Sequence, residues 1–147
     1  MSMTSRRNAS AGVAAGLLSL TMLVATGSPA DATGGDGLTD GVTRTELQRL
    51  PSPTPGFDIV QTRVEIPVGR QSGRHSHPGP EIGYIIAGDV DIVFDDRPSE
   101  HLHTGDPFLI PTGVVHNAVN VGDVRTMMLS TYVIEAGEPL VTNQPPR

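Results

Sequence analysis

The chain has 147 residues and a net charge of −6, and it contains no cysteine and no tryptophan. The acidic balance disfavours nucleic acid and anionic membranes as partners. Because cysteine and lysine are both absent, disulfides, thiolate ligands and Schiff-base chemistry at lysine are excluded. The length predicts one domain with a mainly aliphatic core.

The first 32 residues have the pattern of a secretory signal peptide. Arg6 and Arg7 precede a mostly apolar run at 11–26, and the small-residue sequence Ala-Asp-Ala ends at Ala32. The apolar run is about 16 residues long, short for a spanning helix of about 20, although a retained anchor is an alternative. The arginine pair also allows a twin-arginine signal, but the apolar pair that usually follows the arginines of such a signal is absent from this sequence. We therefore expect a secreted or periplasmic protein that is free of the membrane after cleavage.

Residues 33–56 predict a flexible leader followed by a proline-rich loop. The stretch from Thr33 to Gly41 is rich in glycine and aspartate, which favours disorder. Val42 to Leu50 is compatible with a short helix or with an edge strand. Three prolines between residues 51 and 56 then exclude a helix and interrupt any strand ladder.

A β-rich domain is predicted from residue 57 to residue 134. From Val60 to Ile66 apolar and polar residues alternate, as in a strand with one buried face. Further strands are predicted at 82–87, 90–94, 107–110, 114–120 and 124–134. Short strands with frequent turns and no helical stripe indicate an all-β fold, a small antiparallel β-barrel or jelly roll.

Three details of this domain are predicted from local pattern. Gly88-Asp89, between two apolar runs, predicts a hairpin. Tyr84 alternates with Ile82 and Ile86, which predicts that it packs between the sheets. The tail from residue 135 to residue 147 contains three prolines and is predicted to be an extended arm, which favours a homodimer.

Four residues have the chemistry of metal ligands. His75 and His77 are two apart, so in a strand they lie on one face, close enough to share an ion. Glu81 follows the bend Pro-Gly-Pro and can return toward the pair. His116 is predicted to begin a later strand, and only closure of a sheet would bring it to the other three.

The same positions resemble the two motifs of the cupin family. Gly69 to Gly88 fits G(X)5HXH(X)3-4E(X)6G, and Gly105 to Asn120 fits G(X)5PXG(X)2H(X)3N. The resemblance implies a single-domain cupin in which His75, His77, Glu81 and His116 bind one divalent transition metal.

Three imidazoles and a carboxylate suit Fe, Mn, Ni, Cu or Zn and leave open coordination positions. The first hypothesis is a metal-dependent, dioxygenase-like enzyme acting on a small organic molecule, with Glu81 also serving as a catalytic base. The second hypothesis is a non-catalytic cupin that binds metal or a small ligand. Glu81 could alternatively orient a histidine through a hydrogen bond instead of binding the metal.

Other polar residues have less specific patterns. His101 and His103 form a second H-x-H pair and are predicted to face solvent, because nothing nearby completes a site. Arg63, Arg70 and Arg74 either lie on the surface or point into the barrel mouth to bind a carboxylate. Asn120 is predicted to bridge backbone groups near a turn.

Overall fold

The computed structural model describes residues 39–145. Within that range the chain forms strands and no helix, which confirms the predicted all-β class. The described residues accordingly contain no helix able to cross a membrane. The predicted signal peptide lies outside the described residues. The strands are β1 (Thr43–Pro51), β2 (Phe57–Ile66), β3 (His75–Ser76), β4 (Glu81–Ala87), β5 (Asp89–Phe94), β6 (Glu100–His103), β7 (Pro107–Ile110), β8 (His116–Asn120), β9 (Thr126–Glu135) and β10 (Thr142–Asn143).

The strands form two five-stranded antiparallel sheets. One sheet has the order β1-β2-β9-β4-β7, and the other has the order β10-β3-β8-β5-β6. Each sheet pairs strands that are far apart in the chain, as in a jelly roll. This arrangement brings segments that are distant in the sequence side by side.

Alternating side chains of both sheets fill the space between them. On β2, Val60, Thr62, Val64 and Ile66 are buried, as the alternation predicted. The main apolar cluster joins residues of six strands, namely Val64, Ile66, Ile85, Val90, Ile92, Phe94, Phe108, Ile110, Ala118 and Met128. A smaller cluster contains Val60, Tyr132 and Ile134. The core is therefore aliphatic, and its few aromatic side chains lie beside polar groups.

The prediction for Tyr84 was wrong, because the opposite face of β4 is the buried one. Ile82, Tyr84 and Ile86 are exposed, while Glu81 and Ile85 point inward. Alternation shows which residues share a face but not which face is covered, and here the inward face carries the carboxylate. The outer face of β4 is consequently apolar.

The predicted hairpin at Gly88 is also wrong. β4 pairs with β7 and β9, whereas β5 pairs with β6 and β8, so the two strands belong to different sheets. Gly88 has a φ of +84°, and a Cβ atom there would lie 3.0 Å from the Cα atom of Thr126. The glycine therefore forms a tight corner at which the chain changes sheets.

The two segments that flank the predicted barrel are ordered strands against it. β1 is an edge strand paired along β2, which decides between the two alternatives for Val42 to Leu50. The tail folds back, and Thr142–Asn143 pairs with β3 of the same chain. Because the tail contacts its own barrel, it does not by itself support the predicted homodimer.

Candidate metal centre

Three histidines meet in the interior between the sheets. His75 in β3 is directly opposite His116 in β8, and His77 follows β3 on the same face. The ring centroids are separated by 4.8 Å for His75 and His77, 4.3 Å for His75 and His116, and 5.1 Å for His77 and His116. All three side chains are buried, and their ligand nitrogens lie within 4.8 Å of one another. The pairing of β3 with β8, which the sequence alone could not establish, thus brings the three histidines together. They could hold a metal ion.

Each histidine has its Nδ1 atom fixed by a backbone carbonyl. The Nδ1 of His75 is 2.7 Å from the Gly73 oxygen, that of His77 is 2.7 Å from the Leu140 oxygen, and that of His116 is 3.0 Å from the Val114 oxygen. A carbonyl can only accept, so Nδ1 must carry the proton, and Nε2 retains its lone pair. Such contacts orient the rings of metal-binding histidines. The tail contributes directly, because Leu140 lies in it.

Glu81 approaches the histidines from the opposite sheet. Its Oε2 atom is 3.1 Å from Nε2 of His77 and 3.7 Å from Nε2 of His116. Its other oxygen, Oε1, accepts a hydrogen bond of 2.9 Å from the hydroxyl of Tyr132. Tyr132 lies opposite Glu81 on β9, and its ring also contacts His77. Sequence reasoning missed Tyr132, although its alternation with buried Met128 on β9 places it on the inner face.

Burial and neighbouring charges set the protonation of the site. Burial lowers the pKa of His75 well below its ordinary value, and the charges of His116 and Arg44 lower it further. Burial also lowers the pKa of His116. For Glu81, burial is the largest single influence and would raise the pKa, but His77, Ser130 and His116 together hold that pKa below its ordinary value. Near neutral pH the site therefore presents the carboxylate of Glu81 and neutral rings at His75 and His116, the forms that bind metal.

The donor atoms fit a divalent ion. Nε2 of His77 and Oε2 of Glu81 are both buried and have no hydrogen-bond partner among the described residues. Buried polar atoms are rarely left unsatisfied, since each costs about 1–3 kcal/mol. Donors at about 2.1 Å from one ion lie about 3.0–3.5 Å apart, close to the two distances from Glu81. An ion between them would satisfy both atoms.

An arginine from outside the predicted barrel reaches the same pocket. Arg44 in β1 lies opposite buried Val64, so its side chain points over the barrel interior. It lines a pocket together with His75, Glu81, His116, Tyr132 and apolar core residues, and this pocket encloses about 280 Å³, its open mouth included. Sequence reasoning missed Arg44 because it had left β1 undecided and outside the barrel.

Arg44 as a whole is exposed, but the protein around its guanidinium partly desolvates the charge. Burial lowers the pKa of Arg44, and the nearby groups Tyr132 and Glu81 oppose this shift. One N–H donates a 3.1 Å hydrogen bond to the Ser72 carbonyl, and Arg44 makes no other hydrogen bond within residues 39–145. A guanidinium has five N–H donors, so most remain available to a ligand.

The other polar residues singled out from the sequence lie away from this pocket. Arg63 contacts Glu65 at 3.2 Å, and Arg74 pairs with Asp95. The amide of Asn120 donates to the carbonyls of Ile66 and Val124, which is the bridging role predicted for it. His101 and His103 are exposed on β6, in agreement with the prediction.

Gly79 controls how the segment between His77 and Glu81 packs. A Cβ atom at this buried position would lie 1.8 Å from the carbonyl oxygen of Val133. We expect Gly79→Ala to destabilise the protein by about 1–3 kcal/mol, because the backbone must shift. Thermal unfolding should show a melting temperature lower by about 4–8 °C per kcal/mol.

The control for this variant is Gly122→Ala. A Cβ atom at Gly122 would meet its nearest neighbour at 3.3 Å, and Gly122 does not have a positive φ. Metal affinity should fall in Gly79→Ala, since the displaced segment carries two of the proposed ligands. Equal melting temperatures for Gly79→Ala and Gly122→Ala would contradict this account of the packing.

Comparison with known proteins agrees with the fold. The model of the cupin domain matches residues 62–132. A germin-like protein of Arabidopsis thaliana, subfamily T member 2, is 34% identical over 86 residues, which cover 53% of this chain and 39% of that protein. The chain spans less than half the length of each of the germin-like relatives that it matches.

Two solved enzymes have the same fold at low sequence identity. The DMSP lyase DddQ of Ruegeria pomeroyi superposes with a TM-score of 0.61 at 23% identity, over 76% of this chain and 56% of the enzyme. The oxalate decarboxylase of Bacillus subtilis, which has Mn(II) centres, superposes with a TM-score of 0.51 at 21% identity, over 58% of this chain and 23% of the enzyme.

The fold and the pocket define a jelly-roll protein with a histidine-rich interior site able to hold a metal ion. The match of the family model and both complete motifs are consistent with that description. Residues 62–132 of the chain form a cupin domain.

Proposed function

We propose that this protein is a metal-dependent cupin enzyme that acts on a small organic acid. The observation that carries the proposal is the position of Arg44, which lines the same pocket as His75, His116 and Glu81. A desolvated guanidinium with unused donors is costly unless an anion pairs with it. A carboxylate is the planar anion that a guanidinium binds best, through two parallel hydrogen bonds.

The charge of the loaded site also favours an anionic ligand. A divalent ion, the carboxylate of Glu81 and the guanidinium of Arg44 together leave the pocket positively charged. Since charges interact strongly where water is excluded, a small carboxylate is stabilised there relative to its neutral amide. The pocket lies between the two sheets and is small, which limits the ligand to a small molecule.

Each pocket residue has a role in this proposal. His75, His77, His116 and Glu81 hold one divalent metal, which supplies Lewis acidity and, if redox-active, reactivity toward dioxygen. Arg44 binds and orients the substrate carboxylate. Tyr132 donates to Oε1 of Glu81 and so fixes the carboxylate with Oε2 toward the histidines. Glu81 would act as a base if Oε2 detached from the metal and accepted a proton.

The similar enzymes support this proposal at the level of chemistry. Oxalate, the substrate in the name of the Bacillus subtilis enzyme, is a small dicarboxylate, and that enzyme has Mn(II) centres. Manganese and iron are therefore the metals to test first, and dioxygen-dependent oxidation of an organic acid is the first reaction to test.

The test is turnover by metal-loaded protein of a panel of small mono- and dicarboxylates beside their neutral amides. Oxygen uptake and carbon dioxide release, followed with and without dioxygen, separate oxidation from decarboxylation. We expect turnover of at least one acid, none of its amide, and loss of activity on removal of the metal. Metal binding without turnover of any acid would favour the alternative, a non-catalytic cupin that binds metal or a small ligand.

Export and oligomeric state are separate proposals. The pattern of residues 1–32 supports export, and the N-terminal sequence of the protein recovered from culture medium or periplasm tests it. A homodimer is also proposed, and the exposed apolar side chains of Ile82, Tyr84 and Leu109 on neighbouring strands offer a surface that a second copy would cover. Light scattering of the purified protein measures its mass directly.

A further inference from the structure

A second pair of histidines lies on the outer surface, on β6, which is the edge strand of the sheet β10-β3-β8-β5-β6. His101 and His103 project from the same face of β6 and are exposed, whereas the inward-facing Leu102 packs against the core. On the neighbouring strand β5, Asp91 is directly opposite His101, and Asp89 is directly opposite His103. The four side chains form two matched histidine–aspartate pairs.

Each aspartate fixes the orientation of its histidine. The Nδ1 of His101 is 2.5 Å from Oδ1 of Asp91, and the Nδ1 of His103 is 2.8 Å from Oδ1 of Asp89. A carboxylate accepts the Nδ1 proton, which leaves Nε2 of the neutral ring with a free lone pair. Carboxylate–histidine pairs of this kind orient the histidines of metal sites and make their rings more basic ligands.

The spacing of the two rings also matches that of metal ligands. Their centroids are 4.6 Å apart, within the range of 4.3–5.1 Å found for the three histidines of the buried site. Two imidazoles bound to one ion at about 2.1 Å have centroids about 4.5–5.2 Å apart for bond angles between square and tetrahedral. The separation of the two rings is therefore compatible with both histidines binding one ion.

We propose that His101 and His103 form a second, surface metal site for a late first-row divalent ion, Cu(II) or Zn(II). The Nε2 atoms of the two rings are the protein ligands, and Asp89 and Asp91 hold the rings in place. Imidazole suits these ions, which bind nitrogen most tightly in the first-row series. With two protein ligands and an exposed position, the site exchanges its ion freely and is independent of the buried centre and of its proposed enzymatic role.

Copper titration of the full chain, with the buried centre already loaded, tests the site. Cu(II) added at mildly alkaline pH should bind as one further equivalent whose electron paramagnetic resonance spectrum shows nitrogen hyperfine coupling from imidazole ligands. His101→Ala and His103→Ala should each weaken this equivalent at least tenfold, and the double variant should lose it. Zn(II) should compete for it.

Two variants make the result specific. Asp91→Asn retains both rings but loses the charged acceptor, and it should weaken copper binding by about tenfold. Glu100→Ala removes a charge from the same strand outside the histidine pair and should leave binding unchanged. All of these positions are exposed or half-buried, so circular dichroism should show the wild-type fold. Absence of the second equivalent, or its persistence in the double histidine variant, would overturn the proposal.

Discussion

His116→Ala should lower the metal content of the protein from about one equivalent to less than a tenth. The side chain is buried opposite His75 in β8, and its Nε2 atom faces the carboxylate of Glu81. Loss of a group that merely orients a ligand lowers metal affinity by about 10- to 100-fold, so loss of a ligand should cost at least as much. Elemental analysis after purification without an affinity metal measures the effect directly.

Thermal unfolding distinguishes lost binding from a damaged fold. A ligand at about 100 times its dissociation constant stabilises the folded state by about 2.7 kcal/mol. Added metal should therefore raise the melting temperature of the wild type and leave that of His116→Ala unchanged, and His75→Ala should behave in the same way. His103→Ala, washed with a weak chelator to clear the surface, is the matched control and should retain the buried metal. A normal metal content in both His75→Ala and His116→Ala would refute the site.

Glu81→Gln separates the two roles open to this residue. The glutamine keeps an acceptor for the hydroxyl of Tyr132 but removes the negative charge near His77. If Glu81 binds the metal, the variant should lose metal as the histidine variants do. If Glu81 only orients a histidine, the metal should be retained with about tenfold lower affinity.

Arg44→Gln should weaken the binding of a carboxylate substrate by about 100-fold. Hydrogen bonds to charged groups contribute about 1.5–3 kcal/mol, and tenfold in affinity corresponds to about 1.4 kcal/mol. The metal should stay in place, because Arg44 does not contribute a ligand and its positive charge opposes that of the ion. Either KM for the acid or its dissociation constant, measured on metal-loaded protein, shows the change.

The same strand provides the control for Arg44. Arg49 also lies in β1, but it is paired at the surface with Glu46 and Asp58 at 2.9 Å and 3.1 Å. Arg49→Gln should therefore bind the acid like the wild type, and Arg44→Lys should recover part of the lost affinity through its charge. Unchanged binding of the acid by Arg44→Gln, with full metal content, would remove the basis for an organic acid as substrate.

Sequence reasoning succeeded where the deciding physics is local. Strand alternation on β2 follows from the two-residue period of an extended chain, and it gave the buried face correctly. Gly88, Gly105 and Gly113 have the positive φ expected of turn glycines. Sequence reasoning was less reliable for β4, where the apolar residues Ile82 and Ile86 suggested the wrong buried face.

The amino-acid sequence by itself determined the β class, the positions of six strands (β2, β4, β5, β7, β8 and β9), and a ligand set typical of transition metals, because these depend on neighbouring residues and on side-chain chemistry. Only the tertiary structure decided that His75 faces His116, that the chain changes sheets at Gly88, and that Arg44 enters the pocket. Each of these depends on how strands far apart in the chain pair across two sheets. Pairing of that kind is fixed by the burial of the whole core, which no local pattern encodes.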